Sequence, residues 1–463
     1  MRLINTTTLG LEEFEGSDIP LYAILSHTWG EGEVTYQDVQ ARKAKGKLGY
    51  EKIKNTCKRA RADGFDYVWV DTCCIDKKSS AELSEAINSM CSWYRDAIVC
   101  YAFLADVSSN FSGGQIMVDD FEFSDSRWFT RGWTLQELIV PQILIFLDRN
   151  WQEIGTKASL QRKISAITDI PANILEGDID SASVAQKMSW ASWRETKRVE
   201  DQAYCLLGLF GIHMPLLYGE GKKAFRRLQE EILRVSDDYS IFAWENNSRA
   251  TEGLLATTPY QFQDSMDVKA MDQSTTSGGA VTVDNKGIHL TLRISKHAVR
   301  DEDHFALLPC TRGGRQIGIY LRPIPETKDM FTRNMVKESI FPLTDHSNLR
   351  DYLERSLCVR QSRTEQINTP HLHAAAAVGH RALVNFLTSK GMGLESRDQH
   401  GRTALFLASE NGHLEVVRLL LDKGANPNAR SKSGATPLDL AQIGPHEPVV
   451  EQLLEKGAVR RVP

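Results

Sequence analysis

Trp133 and Glu137 stand four residues apart in the run Arg127-Trp128-Phe129-Thr130-Arg131-Gly132-Trp133-Thr134-Leu135-Gln136-Glu137-Leu138, which Pro141 soon closes. Read as a short helix, the run stacks the two side chains one turn apart on a common face. An aromatic plane beside a carboxylate suits a pocket for a flat, cationic ring. The same residues fit a plainer arrangement: a solvated glutamate held by Arg127 or Arg131, with Trp133 in the core. Taken alone, they favour the plainer one.

The elements around this run shift that balance. Tyr22-Ala23-Ile24-Leu25-Ser26-His27-Thr28-Trp29-Gly30 is a short apolar run that turns small and polar, as a buried strand entering a loop does. Tyr67-Val68-Trp69-Val70-Asp71, Ala97 to Leu104 and Gln142 to Leu147 are three more apolar runs. Helices are expected between them, from about Gly49 to Asp63 and from about Ser80 to Tyr94. The lysines and arginines of the first are read as a solvated face. Nearly all-apolar strands alternating with helices predict a parallel sheet covered on both faces. Ligands of such sheets sit beyond the carboxyl ends of the strands, which here offer Ser26, His27, Trp29, Asp71 and Asp76. The Glu137 helix also follows a strand end.

Further along, Val199, Ala203, Leu206, Leu207 and Phe210 predict one amphipathic helix, and Phe225, Leu228, Ile232 and Val235 a second. Between them, Gly219-Glu220-Gly221-Lys222 has neither the spacing of a phosphate loop nor a strand leading into it, and reads as a turn. From Gly253 short strands separated by turn residues suggest a small antiparallel sheet, and residues 326–366 read as a charged linker. The C-terminal part repeats every 33 residues: Leu372, Leu405 and Leu438 align, as do Ala375, Ala408 and Ala441, and Gly391, Gly424 and Gly457. That period, with Thr436-Pro437-Leu438 at a helix start, is the ankyrin signature, so a short stack of helix pairs follows.

Composition bounds the function. The 463 residues are 41% hydrophobic and 25% charged with a net charge of −5, which fits a multi-domain soluble chain and excludes a general nucleic-acid binder. Met1 to Thr6 lacks the apolar run of a secretory signal, and no stretch approaches the roughly 20 apolar residues that a bilayer span needs. Eight scattered cysteines without C-x-x-C spacing predict reduced thiols in the cytosol and no metal site.

Leu25-Ser26-His27-Thr28-Trp29-Gly30, Trp69-Val70-Asp71-Thr72-Cys73-Cys74-Ile75-Asp76 and Arg131-Gly132-Trp133-Thr134-Leu135-Gln136-Glu137 resemble the three signature blocks of the HET (heterokaryon incompatibility) domain of filamentous fungi. Glu200-Asp201-Gln202-Ala203-Tyr204-Cys205-Leu206-Leu207-Gly208 and Leu217-Tyr218-Gly219-Glu220-Gly221 resemble the segment that commonly follows it. The resemblance covers roughly residues 1–250. It implies a self/non-self recognition protein in which this domain triggers cell death. A more distant likeness is to TIR domains: Ile24-Leu25-Ser26-His27 after the first strand, and Trp133-Thr134-Leu135-Gln136-Glu137-Leu138 with Thr134 where a cysteine is usual. In TIR enzymes the matching glutamate cleaves the nicotinamide–ribose bond of NAD, so the likeness implies Glu137 as catalytic residue and NAD as substrate rather than cofactor. Other TIR domains are non-catalytic adaptors.

The fold expected is therefore α/β: a flavodoxin-like or TIR-like parallel sheet flanked by helices over 1–155, a helical segment over 156–250, and a β-rich segment over 251–325. The linker 326–366 and an α-helical ankyrin solenoid over 367–460 follow. Glu137 is the expected catalytic residue, with Ser26, His27, Trp29, Asp71 and Trp133 as substrate-binding residues. The expected partners are a protein on the ankyrin repeats and further copies of the HET domain. Two alternatives stand beside the NAD glycohydrolase: a non-enzymatic module that acts by self-association, and a hydrolase using Ser26 or Cys73 with His27 and Asp71. The second lacks a nucleophile-elbow pattern.

Overall fold

The computed structural model describes all residues except 113–114, 246–252, 272–280, 297–301, 328, 335–339, 343–351, 362–369, 390–392, 399–400, 432–433, 445 and 460–463. The chain forms two compact units, Met1–Gln361 and Ser362–Pro463.

A seven-stranded sheet organises the first unit. Its strands lie in the order Leu11–Glu13, Arg2–Asn5, Tyr67–Trp69, Tyr22–His27, Val99–Phe103, Leu144–Leu147, Glu153–Thr156. The middle four are parallel. Numbered along the chain among themselves, they run 2-1-3-4, the order of flavodoxin-type doubly wound sheets. The sheet is not wholly parallel, because antiparallel strands close both edges. Those edge strands are short and carry charge (Glu12, Glu13, Glu153), so no apolar period marks them in the sequence. Tyr22–His27 is buried at all six positions, as expected of a central strand covered on both faces. Burying Ile24 and Leu25 alone contributes about 2 kcal/mol each.

The helices between the strands start and end for local reasons. Tyr50–Ala62 buries Ile53, Thr56, Cys57 and Ala60 at helical spacing. Ser79 caps Ser80–Asp96 by accepting from the Glu82 amide, and Ala86, Ile87, Met90 and Tyr94 face inward. The run from Arg127 is broken into two short helices, Arg127–Thr130 and Thr134–Ile139, because the backbone of Thr130 to Gly132 pairs instead with Glu195.

The helix expected across Val199–Phe210 is likewise interrupted. It is helical over Asp201–Tyr204 and a 3-10 turn over Leu207–Leu209. Ala203 to Leu207 is buried on every side, and a Cβ on Gly208 would stand 2.1 Å from Cys91 Cβ. Close packing, rather than one amphipathic face, sets this segment. Lys223–Val235 is a regular amphipathic helix.

The β-rich segment is larger than its sequence suggests. Ile288–Ser295, His304–Arg312, Arg315–Pro323, Met330–Arg333 and Tyr352–Val359 pair in that order and close into a ring, with one parallel pair between the last two. The stretch 326–366, expected as a linker, therefore supplies barrel strands. Leu353 and Glu354 are both exposed along Tyr352–Val359, and Leu357 to Val359 are all buried, so the strand shows no clean alternation. Arg333 is fully buried and donates to the carbonyls of Phe242 at 2.9 Å and Trp244 at 2.6 Å, with its guanidinium 4.0 Å over the Trp244 ring. The barrel is thereby fastened to the helical segment.

The second unit stacks three helix pairs, beginning at Pro370, Ala404 and Pro437. Leu372, Leu405, Leu438, Val417, Leu420 and Leu453 form its continuous core. Thr403 and Thr436 cap their helices. The His373 ring meets the carbonyls of Ser396 and Arg402 at 3.1 and 3.0 Å, and the His413 ring meets Ala377 O at 2.9 Å. These are turn and repeat-to-repeat contacts.

Candidate functional site

The carboxyl end of the central strand gathers most of the expected residues. Ser26 is fully buried; its hydroxyl donates to Glu137 Oε2 and accepts from Trp128 Nε1 at 2.8 Å. Glu137 is 7% exposed, so the solvated-glutamate arrangement is excluded. Burial, reinforced by the charge of Asp71 and opposed by the Ser26 hydrogen bond, raises its carboxyl to about 8. At neutral pH the resting side chain is therefore mostly protonated. Tyr94, whose hydroxyl donates to Leu25 O at 3.1 Å, also reaches this carboxyl.

One residue further on, His27 belongs to a second cluster. Its Nδ1 lies 2.8 Å from Lys52 Nζ and its Nε2 3.0 Å from Asp71 Oδ1. The ammonium can only donate, so Nδ1 accepts, and the ring proton sits on Nε2 and donates to Asp71. Lys52 also reaches Glu33 at 2.5 Å. Asp71 takes a further hydrogen bond from Trp29 Nε1 at 2.8 Å and an ion pair from Lys77 at 3.5 Å. Burial acts to raise the Asp71 carboxyl, but the Lys77 cation and the His27 and Trp29 donors outweigh it and hold it well below the usual carboxylate range. Glu137 and Asp71, which act on each other electrostatically, thus have opposite states, Glu137 protonated and Asp71 ionised, a division met where acid–base roles are separated.

The two tryptophans behave differently from expectation. Lys77 Nζ sits 3.5 Å over the Trp29 ring, so one face of Trp29 is already covered by a cation. Trp133 precedes the first turn of the Glu137 helix, but its indole turns to Asp201, which also takes the Tyr218 hydroxyl at 2.9 Å. The indole that reaches the Ser26–Glu137 pair is Trp128, nine positions before Glu137. Helical spacing gives no sign of this, because the chain breaks at Arg131–Trp133. The inward turn of Lys52 is equally hidden from the sequence, because it lies on the same helix as the exposed Lys54 and Lys58.

The geometry disposes of the hydrolase with a Ser26 or Cys73 nucleophile. The Ser26 hydroxyl is engaged by Glu137 and Trp128 while the His27 ring faces Asp71 and Lys52, so no serine–histidine pair forms. Contact with the Cys74 thiol, together with burial, pushes the Cys73 thiol well above its ordinary value, away from thiolate. The glycine turn also behaves as a turn: the Gly219 and Gly221 amides both donate to Glu200, at 2.8 and 3.0 Å, leaving none for a phosphate.

The helix of Glu137 is held from both ends. Lys157, 6% exposed, donates to Ile139 O at 3.0 Å and Pro141 O at 2.5 Å, the right place for a cation on a helix C-terminus. Burial lowers this ammonium to about 8. Lys157 also lines a cleft of about 1630 Å³ with Val140, Pro141, Lys187, Phe210 and Lys269, which does not include Glu137. Arg194 holds the other end.

Comparison with known proteins defines the class. Residues 22–121 match the family model of the heterokaryon incompatibility protein (HET), residues 223–285 a domain of unknown function (DUF8212), and residues 372–461 ankyrin repeats in three copies. The chain thus carries a HET domain and, C-terminal to it, ankyrin repeats. Over 255 residues it is 47% identical to the vegetative incompatibility protein HET-E-1 of Podospora anserina, a match covering 51% of this chain and 19% of that protein. Glu137 lies beyond the residues matched by the HET model. Among the described residues no helix is long and apolar enough to cross a membrane.

Proposed function

We propose that this protein is a cell-death effector of the heterokaryon-incompatibility type, whose TIR-like HET domain cleaves NAD at the nicotinamide–ribose bond with Glu137 as its catalytic carboxylate. The single observation that carries the reading is the Ser26–Glu137 pair, buried at the carboxyl end of the central strand where doubly wound sheets bind ligands. A pyridinium ring entering beside Glu137 would favour its ionised form, since a cation at close range lowers a carboxyl raised by burial. The bond from ribose C1′ to the ring nitrogen then breaks, and its electron pair leaves with neutral nicotinamide. The ribosyl oxocarbenium ion is stabilised by the Glu137 carboxylate and captured by water, which releases a proton and gives ADP-ribose. The purified 463-residue chain should release nicotinamide from NAD, and Glu137→Gln should abolish that release. Full turnover in the folded variant would overturn the role of Glu137.

The 7% exposure of Glu137 favours a second reading, in which the HET domain acts by self-association and contact with partners. In that case surface substitutions that break assembly abolish toxicity while Glu137→Gln leaves it intact. Under both readings the ankyrin stack binds a regulatory protein partner, the common use of such repeats.

A further inference from the structure

The start of the Glu137 helix is held by a residue from well beyond the signature blocks. Arg194 is 9% exposed, and among the described residues no carboxylate lies within ion-pair distance of it. Its Nε donates to Trp190 O at 3.1 Å, and its Nη1 to Arg131 O and to Thr134 Oγ1, both at 3.0 Å. The Thr134 hydroxyl in turn donates to Trp128 O, so Arg194, Thr134 and Trp128 form one chain that ends at the Ser26–Glu137 pair through the Trp128 indole.

The backbone repeats the message. Glu195 N donates to Thr130 O at 2.6 Å and Gly132 N to Glu195 O at 2.8 Å, zipping residues 194–196 along 130–132. A Cβ on Gly132 would lie 2.5 Å from Thr196 Cγ2, so any larger residue would have to displace the Thr196 side chain.

A buried guanidinium that finds only neutral oxygens is an uncompensated positive charge, costly by itself. Here it acquires a counter-charge when Glu137 ionises, and the two groups are electrostatically coupled. We propose that Arg194 is a positioning residue of the Glu137 site: its guanidinium fixes the turn before the helix and adds its positive charge to that of Arg131 in favouring the ionised carboxyl. The helical segment is then part of the site rather than an appendage to it, and residues 1–155 alone lack a component of it. Only the catalytic consequence rests on the NAD reading above; the ionisation of Glu137 does not.

Glu137 is faced by Asp71, Tyr94 and Arg131, it also couples to the Cys100 thiol, and Arg194 adds to these. The test is the ionisation midpoint of Glu137 in the full chain, read from its carboxyl band by infrared difference against Glu137→Gln. In Arg194→Gln the midpoint should move up by about one unit, a tenfold loss of ionised Glu137 at pH 7. In Arg194→Lys, which keeps the charge but loses the planar fork, it should move up by about half a unit, or threefold. NAD turnover at pH 7 should fall in the same ratios with KM little changed. A folded Arg194→Gln protein whose midpoint stays within about 0.2 unit of wild type overturns the proposal. If the glutamine variant does not fold, the lysine variant decides alone: a half-unit rise upholds the assignment and an unmoved midpoint removes it. A midpoint that moves in a protein without NAD turnover upholds Arg194 and sinks the glycohydrolase.

Discussion

Replacing Glu137 by glutamine should make this protein more stable above neutral pH while removing its proposed activity. The carboxyl sits at about 8 in the folded chain against an ordinary 4.5, raised first by burial. Between those values the folded state holds a proton that the unfolded state has lost, so stability falls as pH rises from about 4.5 to 8 and levels off above. From pH 5 to pH 8 the interval is three units at about 1.4 kcal/mol each, which sets a ceiling of about 4 kcal/mol on the cost carried by Glu137.

Glutamine has the same shape and no charge. It can still accept the Ser26 hydroxyl, but its amide brings buried donors whose desolvation costs about 1–3 kcal/mol. That penalty does not depend on pH. The variant should therefore lie near or below wild type at pH 5 and above it at pH 8. The assay is thermal unfolding of both proteins at half-unit pH steps. A constant difference in melting temperature across that interval would refute the reasoning, because Glu137 would then not be titrating there.

Other sites give sharper local tests. Turnover of NAD should rise with pH through about 8, since the carboxylate is the working form and burial holds the carboxyl protonated below it; a profile flat from pH 6 to 9 would argue against Glu137. Asp71→Asn should cost about 2 kcal/mol at pH 7, because it strips Lys77 and His27 of their shared carboxylate. Burial works against this carboxyl but the Lys77 cation prevails, so its stabilisation is present above the ordinary carboxyl value and is lost as pH falls. The gap to wild type should accordingly shrink towards pH 3 in urea titrations. Gly132→Ala should destabilise the first unit by about 2–3 kcal/mol, since its Cβ would meet Thr196 Cγ2 at 2.5 Å; a neutral effect in denaturant melts would show that residues 194–196 move freely. Leu420→Ala in the ankyrin core should cost the second unit about 2–5 kcal/mol, measured by loss of helical circular dichroism in urea.

Periodicity and local chemistry alone determined several features. The 33-residue period gives the ankyrin stack, because each repeat must bury the same positions against its neighbours. Four apolar runs give the central strands, because a strand covered on both faces has no polar side to show. Placing Ser26, His27, Asp71 and Glu137 at one end of a sheet needed nothing more than the rule for strand ends.

The tertiary structure alone decided how those residues divide. Ser26 and Glu137 pair with Trp128, whereas His27, one residue along the same strand, points to Asp71 and Lys52, because alternate side chains leave a strand on opposite faces. Helical spacing makes Trp133 a neighbour of Glu137, yet its indole goes to Asp201. The break at Arg131–Trp133 comes from backbone pairing with residues more than sixty positions away, which no local pattern encodes. For the same reason Arg194 is silent in the sequence. An arginine on a charged stretch looks solvated until the fold closes around it and turns its guanidinium onto Arg131 O and Thr134 Oγ1.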